Sequence, residues 1–112
     1  MGWNQLKEKS QVDEIANVIS HKKPCLIFKH STTCSISLIA NHRIKELEEH
    51  KDLDLYYLDL LSYREISNYI AEVFSVHHES PQALIIKNGD CVYEESHLGI
   101  NKSELFENLV HA

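Results

Sequence analysis

One cysteine, Cys34, lies in a run of small polar residues between a short apolar segment and a helical pattern. The apolar segment 26–28 predicts a buried strand, and the helical period that follows predicts a helix from Ser35. A thiol at a helix N-terminus meets unpaired N–H groups and the positive end of the helix dipole, which favour the thiolate. The thiolate is the reactive form, and polar neighbours such as Thr33 argue against a buried core thiol. We therefore interpret Cys34 as a reactive cysteine.

Three further side chains near Cys34 are candidates for supporting it. Lys29 and His30 are close in sequence, and either they lower the pKa of the thiol as cations or they only solvate a strand end. Ser37 follows Cys34 by about one helical turn, so both side chains share a face of the helix. Its hydroxyl either donates to the thiolate or only satisfies the backbone.

The other two cysteines are predicted not to reach Cys34. Cys25 starts the strand whose other end leads to Cys34, which implies a separation of roughly 25 Å or more. Cys91 follows a predicted hairpin turn at Asn88-Gly89 and lies at the far end of its strand. A disulfide needs Cα atoms within about 7 Å, so we interpret both as core or bystander thiols.

The rest of the chain predicts an α/β fold in the order β-α-β-α-β-α-β-β-α, as one domain over residues 1–112. Alternating strands and helices that end in a hairpin and a last helix indicate a mixed β-sheet flanked by helices. Capping patterns predict helix starts at Ser10, Ser62 and Asn101. An apolar stripe on the helix after Cys34 is predicted at Ile36, Ile39, Ala40, Ile44 and Leu47. Strands are predicted over 3–6, 25–28, 53–60, 83–87 and 91–95.

Composition excludes several classes of function. The formal net charge of −6 over 112 residues argues against a nucleic-acid partner, because phosphate binding needs clustered Lys and Arg. No apolar run approaches the ~20 residues that cross a bilayer, and the N-terminal residues do not read as a signal peptide. Three cysteines, an odd number, do not suggest a disulfide framework, so we expect a cytoplasmic protein. His77 and His78 are adjacent but lack metal-ligand spacing, so no metal site is predicted.

The chain contains the segments Phe28-Lys-His-Ser-Thr-Thr-Cys-Ser-Ile-Ser37 and Glu79-Ser-Pro-Gln82. Together these two segments resemble the monothiol bacilliredoxin family, small thioredoxin-like bacterial proteins that use bacillithiol in place of glutathione. Members usually have Thr-Cys-Pro-Ile-Ser at the active site, and this chain has Ser35 where that proline is expected. The resemblance implies a thioredoxin fold over the whole chain, with a cis bond at Ser80–Pro81 and His78 near the substrate.

The resemblance also implies a reaction. Cys34 attacks a mixed disulfide between a client protein and bacillithiol, takes up the bacillithiol, and is reset by free bacillithiol or a reductase. Bacillithiol is then a redox co-substrate, and no cofactor is tightly bound. One alternative is a non-catalytic thioredoxin-like binding or stress-response module whose Cys34 is only passively modified. Another is an iron–sulfur or other metal carrier.

Overall fold

The computed structural model describes residues 3–31, 35–45, 47 and 53–111. Within them the α-helices are α1 (Lys9–Asn17), α2 (Ser35–Ile44), α3 (Arg64–Phe74) and α4 (Lys102–His111). The strands are β1 (Asn4–Gln5), β2 (Cys25–His30), β3 (Asp54–Asp59), β4 (Gln82–Lys87) and β5 (Asp90–Ser96). Short 3₁₀ helices follow α1 at Ile19–His21 and β5 at His97–Gly99. Two of the predicted site residues, Thr33 and Cys34, lie outside the described residues.

The strands form one mixed sheet in the order β1-β3-β2-β4-β5. β2 pairs in parallel with β3 and antiparallel with β4, and β5 returns antiparallel beside β4. All six residues of β2 are buried, as expected for the central strand of a sheet covered on both faces. β2 is the central strand, so its C-terminal end, from which the chain leads to α2, lies in the middle of the sheet.

Two apolar cores lie on opposite faces of the sheet because side chains alternate along β2. Ile27 belongs to the core with α1 and α3, where it packs with residues such as Ile15 and Ile70. Phe28 belongs to the core with α2 and α4, which includes Ile44. Neighbouring side chains of β2 thus face different helical layers. The same alternation places the Lys29 and His30 side chains on opposite faces of the sheet.

Two predicted helix starts were wrong, because the residues that directly precede α1 and α3 are Glu8 and Tyr63. α1 begins at Lys9 after Glu8, whose N–H donates to the Gln11 Oε1 at 3.0 Å, so Ser10 is not the cap. α3 begins at Arg64, and the hydroxyl of Ser62 donates to Asp59 at 3.1 Å. Ser62 therefore belongs to the turn after β3. The start predicted at Asn101 is confirmed, because its side-chain oxygen accepts the N–H of Glu104 at 2.9 Å.

The predicted apolar stripe of α2 was wrong at one position. Ile39 is 45% exposed, whereas Ser37 is 0% exposed and lies on the buried face with Ala40 and Ile44. A serine thus occupies an interior position at the first turn of α2. It is tolerated there because its oxygen is hydrogen-bonded.

The hairpin turn predicted at Asn88-Gly89 is confirmed by its backbone angles. Asn88 and Gly89 have φ of 52° and 82°, the left-handed region that a type I′ turn requires at both positions. A Cβ on residue 89 would also come within 3.1 Å of the Ala16 carbonyl oxygen. The Gly89 N–H donates to the Ser20 hydroxyl at 3.0 Å, which holds the hairpin against the 3₁₀ helix that follows α1.

Across the described ranges, none of the helices has the length and apolar character needed to span a bilayer.

Candidate active site at the end of the central strand

One end of the sheet brings together the end of β2, the start of α2 and the start of β4. Lys29 is the register partner of Gln82, so Pro81 lies beside the end of β2. Ser31 and Ser35 flank residues 32–34, the segment that contains Cys34. Of the predicted site residues in the described part, Lys29, His30, Ser37, Ser80 and Pro81 are therefore gathered around this junction.

Ser37 joins the two sides of the β2–α2 junction. Its Oγ accepts the backbone N–H of Ser31 at 3.0 Å, and the serine side chain is fully buried. Of the two predicted roles for this hydroxyl, the backbone role is therefore seen directly. The bond uses an oxygen lone pair, so the hydroxyl hydrogen remains to donate elsewhere.

Lys29 is a buried cation and not a solvated strand end. The side chain is 0% exposed, and its Nζ lies 3.2 Å from the Ser67 carbonyl oxygen and 3.3 Å from the His78 Nδ1. Burial lowers the pKa of Lys29 to about 8, because desolvation disfavours the ammonium. Lys29 points to the α3 side of the sheet, where it joins the end of β2 to α3 and to the loop before β4.

His30 is buried on the opposite face, toward α2. Its ring stacks on Phe28 with centroids 5.7 Å apart and tilts against Tyr57 at 5.5 Å. Burial lowers the pKa of His30, and the Ser37 backbone and Asp59 oppose that shift. Its Nδ1 is buried and has no hydrogen-bond partner among the described residues. His30 is thus a neutral, apolar-packed imidazole beside the first turn of α2.

The loop between α3 and β4 is held by polar contacts that the sequence did not indicate. The Ser80–Pro81 peptide bond is cis. Gln82 is fully buried, and its Nε2 donates to the His77 carbonyl at 2.9 Å and to Glu94 at 3.1 Å. The Ser80 Oγ is buried without a hydrogen-bond partner among the described residues. No periodicity or motif distinguishes Gln82 as a buried support, apart from its place directly after Ser-Pro.

His78 shares its Nδ1 with two groups. The Ser67 hydroxyl lies 3.2 Å from that nitrogen, and the Lys29 ammonium lies 3.3 Å from it. Desolvation lowers the pKa of His78, and the positive charges of Lys29 and Arg64 lower it further. Ser67 is fully buried on α3 and was missed from the sequence, because a serine within an amphipathic helix gives no signal of its own.

The two remaining cysteines lie at the other end of the sheet. Cys25 and Cys91 are both register partners of Ile86, on either side of β4. Burial, with help from Asp54, raises the pKa of Cys25 to about 12. Burial also raises the pKa of Cys91. Cys25 lies five residues along β2 from His30, roughly 16 Å, which is far beyond the reach of a disulfide.

The described part of the chain contains no group of three or more His, Cys, Asp or Glu side chains arranged to hold a metal ion. His77 instead faces Glu79 at 3.6 Å, and His97 faces the other oxygen of Glu79 at 3.4 Å. The Glu79 carboxylate thus lies between the two imidazoles, one from the loop before Pro81 and one from the 3₁₀ helix after β5.

The sheet order and the strand-end site define a thioredoxin-like protein, and comparison with solved structures agrees. A structure described as "A putative oxidoreductase with a thioredoxin fold" has 39% sequence identity and a TM-score of 0.78, covering 92% of this chain and 89% of its own. Thioredoxin from Malassezia sympodialis has 14% identity and a TM-score of 0.74, covering 99% and 91%. Thioredoxin from Fasciola hepatica has 16% identity and a TM-score of 0.71, covering 96% and 97%. The α/β thioredoxin fold predicted from the sequence is confirmed.

The comparisons also identify a family within the thioredoxin fold. The model of the family described as monothiol bacilliredoxin BrxC matches residues 4–105. The chain belongs to the monothiol bacilliredoxin family, which confirms the resemblance found in the sequence. Family and fold together support a role in thiol redox chemistry.

Proposed function

We propose that this protein is a monothiol disulfide oxidoreductase that removes bacillithiol from protein mixed disulfides through Cys34. The Cys34 thiolate attacks the bacillithiol sulfur of the mixed disulfide. A new sulfur–sulfur bond joins Cys34 to bacillithiol, the old disulfide breaks, and the client cysteine leaves as a thiolate. A second thiolate, from free bacillithiol or a reductase, then attacks the bacillithiol sulfur, and Cys34 leaves with the electron pair.

The observation that carries this proposal is the placement of the other thiols. Cys25 and Cys91 flank Ile86 at the end of the sheet away from the β2–α2 junction. The resemblance to thioredoxins, whose helix opens with a Cys-x-x-Cys motif, would place a second cysteine three residues after Cys34, where this chain has Ser37. With no thiol of its own to resolve the mixed disulfide, the protein must be reset from outside.

The surrounding residues take supporting roles in this proposal. Thr33 and Ser35 are the sequence neighbours of Cys34 and would offer polar groups to the thiol, and Ser37 ties the junction to Ser31. His30, neutral and packed on Phe28, lies beside the first turn of α2.

On the substrate side, the proposal assigns Ser80, Pro81 and His78. The Ser80 Oγ, buried without a described partner, supports a contact with bound substrate because an unpaired buried hydroxyl is costly. We place the protein in the cytoplasm, as one domain over residues 1–112, with bacillithiol as co-substrate and no tightly bound cofactor. Its partners would be bacillithiolated client proteins and bacillithiol or a reductase, and neither nucleic acid nor a membrane.

The test is a transfer experiment followed by intact-mass spectrometry. The reduced protein is mixed with a bacillithiolated client, and the expected product carries one bacillithiol on Cys34. Cys34→Ser should carry none, and the matched control Cys91→Ser should behave like the wild type. A client that keeps its bacillithiol in the presence of the wild-type protein would refute the proposal and favour a non-catalytic module.

A further inference from the structure

The contacts of Lys29 restrict the protonation state of His78. An ammonium group can donate hydrogen bonds but has no lone pair with which to accept one. The Lys29 Nζ lies 3.3 Å from the His78 Nδ1, so Nδ1 must be the acceptor whenever Lys29 is protonated. The Ser67 hydroxyl, 3.2 Å from the same nitrogen, is consistent with this, because it too can donate.

A neutral imidazole carries one proton, on one of its two nitrogens. With Nδ1 held as an acceptor, the proton of His78 must lie on Nε2, on the other side of the ring. That side faces away from the buried Lys29 and Ser67, and His78 is half-buried. The ring therefore carries an N–H donor on the side away from Lys29 and Ser67, two residues before Ser80.

We propose that Lys29 is a positioning residue that fixes His78 in the Nε2–H form, so that His78 donates a hydrogen bond to an acceptor oxygen of the mixed-disulfide substrate. This inference rests on the proposed function, because it assumes that the substrate lies against the loop before Pro81. The orientation of the loop supports it. The His77 carbonyl is fixed by Gln82 at 2.9 Å and the ring of His78 by Lys29 and Ser67, so the donor is held before substrate arrives.

Burial makes the arrangement specific. Lys29 and Ser67 are both 0% exposed, so water cannot replace their contacts with Nδ1. A buried lysine without a purpose is expensive, because its ammonium loses its hydration. The Lys29 ammonium donates to the buried Nδ1 of His78, and this role gives a reason for a lysine at this position of β2.

The first experiment reads the tautomer directly and does not depend on activity. Long-range proton–nitrogen correlation spectra of ¹⁵N-labelled protein at neutral pH separate the two neutral forms of a histidine. We expect His78, assigned by the loss of its signals in His78→Gln, to be in the Nε2–H form. In Lys29→Met the Nδ1–H form should become populated, while Lys22→Met, at an exposed lysine, should leave the spectrum unchanged.

Two results would overturn the positioning role. One is a wild-type His78 that carries its proton on Nδ1. The other is a Lys29→Met protein whose His78 signals match those of the wild type. If Lys29→Met does not fold, Ser67→Ala provides the second variant, because it removes the other donor to Nδ1 and leaves the lysine. It should keep the Nε2–H form, since the ammonium alone enforces it.

The second experiment reads the contribution to substrate binding. His78→Phe keeps a ring but no donor, and we expect the KM for a bacillithiolated peptide to rise about five- to tenfold with kcat changed less than about twofold. His78→Gln, whose amide can donate from a similar position, should recover part of the loss. His77→Phe is the matched control, because the His77 side chain is exposed and lies outside the contacts of Nδ1.

Two substrates locate the acceptor oxygen. The same peptide is tested as its disulfide with bacillithiol and as its disulfide with cysteamine, which has no oxygen. A His78→Phe effect on both places the acceptor on the peptide, and an effect on the bacillithiol form alone places it on bacillithiol. Equal KM values for wild type and His78→Phe on both substrates would overturn the donor role. Failure of the proposed function would look different, since wild type would then transfer no bacillithiol at all.

Discussion

The Ser37 hydroxyl accepts the backbone N–H of Ser31 at 3.0 Å and so bridges the two sides of the turn between β2 and α2. Ser31 is the residue directly after β2, and Ser37 lies in the first turn of α2. The bond closes the short segment that contains Cys34. Ser37 thus makes a structural contact across the turn.

Replacing Ser37 by alanine should destabilise the protein. The change leaves the buried N–H of Ser31 without this acceptor, which typically costs about 1–3 kcal/mol. Urea unfolding monitored by circular dichroism measures the free energy of unfolding. Ser35→Ala is the control, because Ser35 is exposed at the start of the same helix. A Ser37→Ala protein as stable as Ser35→Ala would contradict the importance assigned to the bridge.

Ser35 is the one departure from the usual motif of the family, and Ser35→Pro restores it. Serine at the first position of a helix has a backbone N–H that proline lacks. Removing that donor should raise the pKa of Cys34, because the thiolate loses one of the N–H groups that stabilise it. The thiolate absorbance in the ultraviolet, followed against pH in a Cys25→Ser, Cys91→Ser background, measures it. A pKa that is unchanged or lower in Ser35→Pro would show that this N–H does not stabilise the thiolate.

Alkylation should distinguish the three cysteines by rate. With a pKa of about 12, Cys25 is only about one part in ten thousand thiolate at pH 8, and burial also raises the pKa of Cys91. Brief treatment of the folded protein with iodoacetamide should therefore give one adduct, on Cys34, by peptide mass spectrometry. Cys34→Ser should give none in the same time, and unfolding in urea should expose all its remaining thiols. Rapid labelling of Cys25 in the folded wild type would contradict the burial assigned to it.

Much of the fold could be predicted from the sequence because β2 and β4 are short buried runs and the hairpin after β4 has a clear turn. The Asn88-Gly89 turn and the Asn101 cap are local signals, and both were confirmed. The helix starts predicted at Ser10 and Ser62 were wrong because a capping pattern does not fix which residue begins the helix. At α1 the Gln11 side chain accepts the Glu8 N–H, and before α3 the Ser62 hydroxyl donates to Asp59.

The candidate site was harder to predict where burial decides the chemistry. Lys29 directly follows an apolar run, and a sequence pattern cannot separate a lysine at the end of a strand from one inside it. Its burial depends on α3 and on the loop that carries His78, which are 38 and 49 positions further along the chain. Ser67 and Gln82 were missed for the same reason, because their partners are brought together only by the fold.

Burial of Lys29 should leave a signature in the pH dependence of stability. Its pKa falls from 10.5 in the unfolded chain to about 8 in the fold, so between these values the unfolded state binds more protons. Stability then rises with pH across this range, because deprotonation removes the cost of the buried ammonium. The titratable groups that face His78, the partner of Lys29, are Lys29 itself from β2, Arg64 from α3, and His77 and Glu79 from the loop.

Lys29→Met removes that titration, so the difference in stability between wild type and variant should depend on pH. We expect wild type to gain about 2–3 kcal/mol relative to Lys29→Met between pH 7 and pH 10. Taking the difference cancels the titration of Cys25 and Tyr56, whose raised pKa values lower the stability of both proteins at high pH. Urea unfolding at each pH measures it, with Lys22→Met as the control at an exposed lysine. A difference that stays constant across this range would mean that Lys29 keeps its charge in the fold as easily as in water.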